Sequence, residues 1–266
     1  MAADLRKALA GLLASPGAVL AGRYMSTDRS SCDAENRLFT NLGAAGFPVG
    51  LAGIRFERGP GVPLPAPVLI ARVAGHLYYY RYRLGGVWES WALAGVLARW
   101  SRVARTFADD GSCRPVWLAM KLAAAAGQVE VLAPGFSGTA PFGIRAVVHA
   151  TARGPRRAAS ISETLIDGII AAFHVGLGNG PSAAAAAAVL APRLPGMTAA
   201  EVEAFAAGSV PGPLFAPPAL RVKDGYVQIS PCDERCQAGE VIIQPDAHGQ
   251  FPEISGELFA LQQVPG

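Results

Sequence analysis

Lysine is almost missing from this chain: 3 lysines stand against 20 arginines in 266 residues. Cysteine, histidine and methionine number 4 each, and 16% of the residues are charged. So little charge beside 51% hydrophobic residues excludes a disordered chain, which could not bury enough apolar surface to order itself. Four scattered cysteines exclude a disulfide scaffold, and they suit reduced thiols in a cytoplasmic compartment. The 31 glycines follow no triplet period, which excludes collagen.

Long apolar runs are absent too. Nothing approaches the ~20 residues that cross a bilayer, and the blandest stretch, 183–190, is closed by Pro181 and Pro192. The first residues hold Asp4, Arg6 and Lys7 without an apolar core that ends in a cleavage signal. The expectation is a soluble, cytoplasmic protein with no membrane partner.

What is present is unevenly divided. Residues 1–157 hold 19 basic and 9 acidic side chains, whereas residues 158–266 hold 4 and 11. Either the front half meets an anion or the two halves neutralise each other.

Periodicity predicts helices over 2–14, 32–42, 87–107, 161–174 and 181–190, with another opening at Thr198. Ser160 with Glu163, and Thr198 with Glu201, have capping-box spacing. Strands are expected at 54–58, 68–73, 77–84, 128–132, 143–151, 220–222, 226–229 and 240–244, and 115–122 is ambiguous. Interspersed strands and helices predict a mixed α+β or α/β fold, mainly a mixed sheet with several packed helices in one large domain. Its expected divisions are a main domain at 1–208, a proline-rich strap at 209–219, and a β-rich C-terminal extension at 220–266 packed on the main domain. No repeat of fixed period is visible.

Four constellations have chemical potential. On a helix over 161–174, Glu163, Asp167 and His174 fall on one stripe beside an apolar face, where two carboxylates and an imidazole could share a proton or hold a divalent cation. The loop Gly176, Gly178 and Gly180 before the Ala-rich helix could aim N–H groups at an anion. Glu35 projects among apolar residues of its helix, which calls for a buried partner or a raised pKa. In 77–84, Tyr78, Tyr80 and Tyr82 share one strand face while Tyr79, Arg81 and Arg83 share the other. Tyrosines beside arginines could stack bases and meet phosphates, with Arg99, Arg102, Arg105, Arg153, Arg156 and Arg157 extending the basic surface.

Cys232 and Cys236, with His248, offer three ligands toward a tetrahedral zinc site, though no second cysteine pair accompanies them. His149 and Thr151 form a single His-x-Thr, half of a two-histidine phosphoesterase pattern. The expected function is an enzyme acting on an anionic small molecule, phosphorylated ones included. In that reading Glu163, Asp167, His174 and Glu35 do the chemistry, and Arg81, Arg83, Arg145 and the glycine loop hold the anion. The alternatives are a nucleic-acid-binding or nuclease-like protein using 77–84, and a non-catalytic subunit docking on a partner. Reaction class and oligomeric state are not legible.

Overall fold

In the strand Gly53–Arg58, Ile54 and Phe56 are buried on one face while Arg55 and Glu57 take the other, and this alternation organises the molecule. The computed structural model describes residues 17–27, 34–39, 51–62, 71–73, 76–104, 111–137, 139–150, 161–194, 196–208, 210–246 and 252–265, with Lys7 and Leu9. Its elements run β1 (Val19–Ser26), α1 (Ala34–Phe39), β2 (Gly53–Arg58), β3 (Ala71–Val73), β4 (His76–Leu84), β5 (Trp91–Ala104), α2 (Arg114–Ala125), β6 (Val129–Val131) and β7 (Phe142–Ala150). There follow α3 (Ser162–Ala172), α4 (Pro181–Leu190), α5 (Ala199–Ala207), β8 (Leu220–Lys223), β9 (Tyr226–Ile229), β10 (Cys236–Pro245) and β11 (Glu253–Gln263).

Nine strands form one mixed sheet in the order β3-β4-β1-β2-β10-β7-β11-β5-β6, and β8 and β9 form a separate hairpin. This is the mixed sheet with packed helices that the pattern predicts. No described helix is long and apolar enough to cross a membrane. The helices pack on one face, where Trp117, Leu118 and Met120 of α2 and Ile169 and Ile170 of α3 are buried. Gly22 lets Leu38 of α1 settle on β1, since a Cβ there would lie 3.1 Å from Leu38. Tyr82 closes the joint by donating its hydroxyl to the Leu38 carbonyl at 2.6 Å, and burial pushes its phenol pKa up.

Two units of the sheet share one topology. In the first, β1 leads through α1 to its parallel neighbour β2, and β4 pairs antiparallel on the other side of β1. In the second, β7 leads through the helical segment to its parallel neighbour β10, and β11 pairs antiparallel on the other side of β7. The units join through the antiparallel pair β2–β10. Residues 236–263 therefore complete the middle of the sheet.

Several expectations change. Residues 91–104 form a strand and not the helix expected over 87–107. Three register shifts against β11 interrupt the strand's alternation, so its Ala- and Leu-rich sequence imitates a helical period. β1 and β11 have no counterpart among the expected elements. The helix expected over 161–174 starts at Ser162 with Ile161 as N-cap and no side-chain cap, and it ends at Ala172. The box at Thr198 and Glu201 is formed, with the Glu201 N–H donating to the Thr198 hydroxyl at 3.2 Å. Beyond Lys7 and Leu9, the segment 2–14 lies outside the described residues, as do Ser160, Thr151, Arg105, Arg153, Arg156, Arg157 and His248.

Candidate functional site

The face of the sheet opposite the helices is polar, and its side chains are read strand by strand from the register. One row runs Arg55, Glu240, Arg145, Glu257, Arg99, Glu130 across β2, β10, β7, β11, β5 and β6, alternating in sign at every step. A second row runs Arg81, Arg23, Glu57 across β4, β1 and β2. Like charges directly opposite each other destabilise a sheet unless something neutralises them. Arg81 and Arg23 are such a pair.

The neutralising group comes from residues 85–90, which connect β4 to β5. These strands are separated by five others, so the connection crosses the helix-free face. Gly85 and Gly86 start it with φ of +72° and +98°, a region that favours glycine. A Cβ on Gly86 would collide with the Arg83 guanidinium. Trp88 then settles over Phe259 at 5.3 Å between centroids, with the Arg55 and Arg145 guanidiniums 5.9 and 5.6 Å from its ring. Gly143 makes room for this stack, because a Cβ there would lie 2.4 Å from the Phe259 ring.

Glu89 follows and collects three guanidiniums on one carboxylate. Arg23 Nη1 lies 2.5 Å away, Arg83 Nη1 2.6 Å away, and Arg81 Nη2 donates to the same group. The Arg81 bond is the main reason that the Glu89 pKa lies below its ordinary value, and Arg83 and Arg23 lower it further. Beneath, Glu57 is buried and accepts the Glu89 and Ser90 N–H groups at 3.0 and 2.9 Å, with Arg23 Nε 3.5 Å away. Beside this cage lies a shallow depression, open to solvent, lined by Arg23, Arg55, Glu57, Arg81, Arg83 and Trp88, among others.

The site residues expected from sequence fall on two sides of the sheet. Arg81, Arg83 and Arg145 are on the helix-free face, with Arg145 held by Glu257 at 2.7 Å and Glu240 at 3.6 Å. Glu35, Glu163, Asp167, His174 and the glycine loop belong to the helical side. Glu163 is exposed and Asp167 half-buried on α3, while His174 lies two residues past the helix end and is buried, so the three do not form one stripe. His174 donates from Nδ1 to the Pro217 carbonyl at 2.6 Å, and its Nε2 accepts the Cys232 N–H at 3.2 Å. That neutral imidazole agrees with its pKa, which burial lowers. Both ring nitrogens thus tie the 210–218 segment and the 232 turn to the end of α3.

Glu35 is buried as expected and accepts the Ser162 hydroxyl at the start of α3. In the glycine loop the Leu177 and Gly178 N–H groups donate to Ala206 and Ala207. Gly176 sits where a Cβ would strike the Ala207 carbonyl oxygen at 2.2 Å. The glycine there serves close packing on α5. Cys232 and Cys236 flank the turn Asp233–Arg235, both buried, and burial pushes the Cys232 thiol up to about 12, away from the thiolate that zinc needs. Among the described residues no cluster of three His, Cys, Asp or Glu could hold a metal.

Arg23, Arg55, Glu57, Trp88 and Glu89 were not anticipated. Ile54–Arg58 alternation carries the faces of Arg55 and Glu57, whereas nothing local marks Glu89. Comparison of the chain with protein-family models, curated sequences and solved structures finds no match.

Proposed function

We propose that this protein binds a compact anionic small molecule on the helix-free face of the sheet, at Arg23, Arg81 and Arg83 with Arg55 beside them. One observation carries the reading: three guanidiniums converge on a single carboxylate, that of Glu89. Guanidiniums present planar forks that match carboxylate and phosphate oxygens, so such a cluster is a ready anion seat. In a catalytic cycle these residues would hold and orient a substrate, and their side chains supply no nucleophile. A polymer such as nucleic acid is favoured less, because the rest of the face alternates in sign and Arg145, Arg99 and Arg102 have carboxylate partners.

The test is retention on phosphocellulose, comparing the natural chain with Arg81→Gln/Arg83→Gln. The double variant should elute at clearly lower salt. Unchanged elution would remove this face from consideration. Titration with a single-stranded oligonucleotide should show weak binding, whereas tight binding with a salt slope of several units would favour the nucleic-acid reading.

A further inference from the structure

Glu89 is better understood by asking what its place looks like in the second unit. There Arg145 has Nε 3.6 Å from Glu240 on the parallel neighbour and Nη1 2.7 Å from Glu257 on the antiparallel one. In the first unit Arg23 has Nε 3.5 Å from Glu57 on the parallel neighbour and Nη1 2.5 Å from Glu89. The geometry repeats, with one exchange. Where β11 presents Glu257 beside Arg145, β4 presents Arg81 beside Arg23. The sheet of the first unit therefore lacks a carboxylate that the second unit contains, and a residue of the connecting segment stands in for it.

The substitute is an incomplete one. A carboxylate has a single charge and two oxygens, and here it serves three guanidiniums, each able to donate more than one bond. Glu57 gives little relief, since its oxygens accept the Glu89 and Ser90 N–H groups. A phosphate monoester has close to two charges and three terminal oxygens at neutral pH, and so matches the seat better than the resident group.

We infer that Glu89 is an internal occupant of a phosphate-monoester site, displaced when a phosphorylated small molecule enters the Arg23, Arg81 and Arg83 cage. The inference rests on the anion-binding reading above and adds the ligand class and the competitor. The ligand's phosphate takes the three guanidiniums, and its body extends over the open surface toward Arg55 and Trp88. Gly85 and Gly86 give the segment its freedom to yield, the Val87 side chain is 72% exposed, and the bond from Arg83 Nη2 to the Val87 carbonyl at 2.7 Å must give way with Glu89. The affinity of the natural chain is thereby reduced by whatever it costs to expel Glu89.

The experiment uses the full chain, with phenyl phosphate and benzoate as probes in calorimetric titrations at pH 7.5. Glu89→Gln should bind phenyl phosphate at least about 10-fold more tightly than the natural chain, and more tightly than it binds benzoate. Adding Arg81→Gln should erase the gain. In the natural chain, which needs no variant to fold, saturating phenyl phosphate should speed amide hydrogen exchange at Glu89 and Ser90. Equal phenyl phosphate affinity in the natural chain and Glu89→Gln, or unchanged exchange at saturation, overturns the displacement. If the natural chain binds phenyl phosphate, loses it with Arg81→Gln, and is unaffected by Glu89→Gln, the anion site stands and the displacement alone falls. If neither protein binds phenyl phosphate, both readings fall.

Discussion

Arg23 and Arg145 hold the same place in two units of one topology, each on a middle strand, each on the helix-free face, each beside a glutamate of the parallel neighbour. They differ in where the second carboxylate comes from. Glu257 is part of the second unit's own ladder and is fixed whenever the sheet is formed. Glu89 is on a connection, reaches its arginines from above, and depends on how residues 85–90 lie. A charge satisfied within the ladder is structural, whereas one satisfied from a loop can be exchanged. Loops are where exchangeable contacts concentrate.

The comparison can be broken first at Glu57. Glu57→Ala leaves two backbone N–H groups and part of Arg23 without an acceptor in a buried place, and should cost about 3 kcal/mol in urea unfolding. Its counterpart Glu240→Ala frees no backbone N–H and leaves Arg145, the more exposed of its two arginines, still paired with Glu257, and should cost about 1–2 kcal/mol. Equal losses would erase the distinction between the units. Gly143→Ala comes next, with an expected loss of about 2 kcal/mol, because the added Cβ forces Phe259 off the sheet and Trp88 with it. Ala21, which has a Cβ on the first unit's middle strand, should tolerate Gly with a loss of roughly 0.5–1 kcal/mol.

Glu257→Gln sharpens the contrast. It should cost about 1 kcal/mol and leave phenyl phosphate affinity unchanged, the reverse of what Glu89→Gln does. The smallest effect is acid sensitivity. The folded-state pKa of Glu89 lies below its ordinary 4.5, so its contribution is fully present above that value. It is lost as pH falls from 4.5 through the depressed pKa. Exchange at Glu89 and Ser90 should accelerate across that window in the natural chain and not in Glu89→Gln.

Much of the fold was legible because alternation survives wherever strands are regular. The phase of β4 placed Tyr78, Tyr80 and Tyr82 on one face, and these tyrosines pack against the core while Arg81 and Arg83 take the other side. β5 was illegible because its bulges break the period that identifies a strand. The helix at α3 was legible, but its end was not. Two residues of error were enough to detach His174 from the stripe with Glu163 and Asp167, since each residue turns the surface by about 100°. Glu35 could be read as buried from the apolar spacing around it, whereas its partner Ser162 is distant in sequence. The arginine cage depends on which strands become neighbours. Glu89, Arg23 and Arg83 have no mutual spacing that a local pattern could expose, and their meeting follows from the strand order.

The position of β7 has a consequence for how this protein is made. Both of its sheet neighbours, β10 and β11, begin at Cys236 and Glu253, long after β7 ends at Ala150. A ribosome delivers β1, α1, β2 and β4 early, so the first unit can pair before the rest is synthesised. β7 must then wait, with Ile144, Ala146 and Val148 on one face and two unpaired edges, while all of the helical segment emerges. Until β10 and β11 are made, β2 has one open edge and β7 has two, with the place of β10 empty between them. Such edges invite pairing with other chains, so residues 236–263 decide whether β2, β7 and β5 are joined in one sheet.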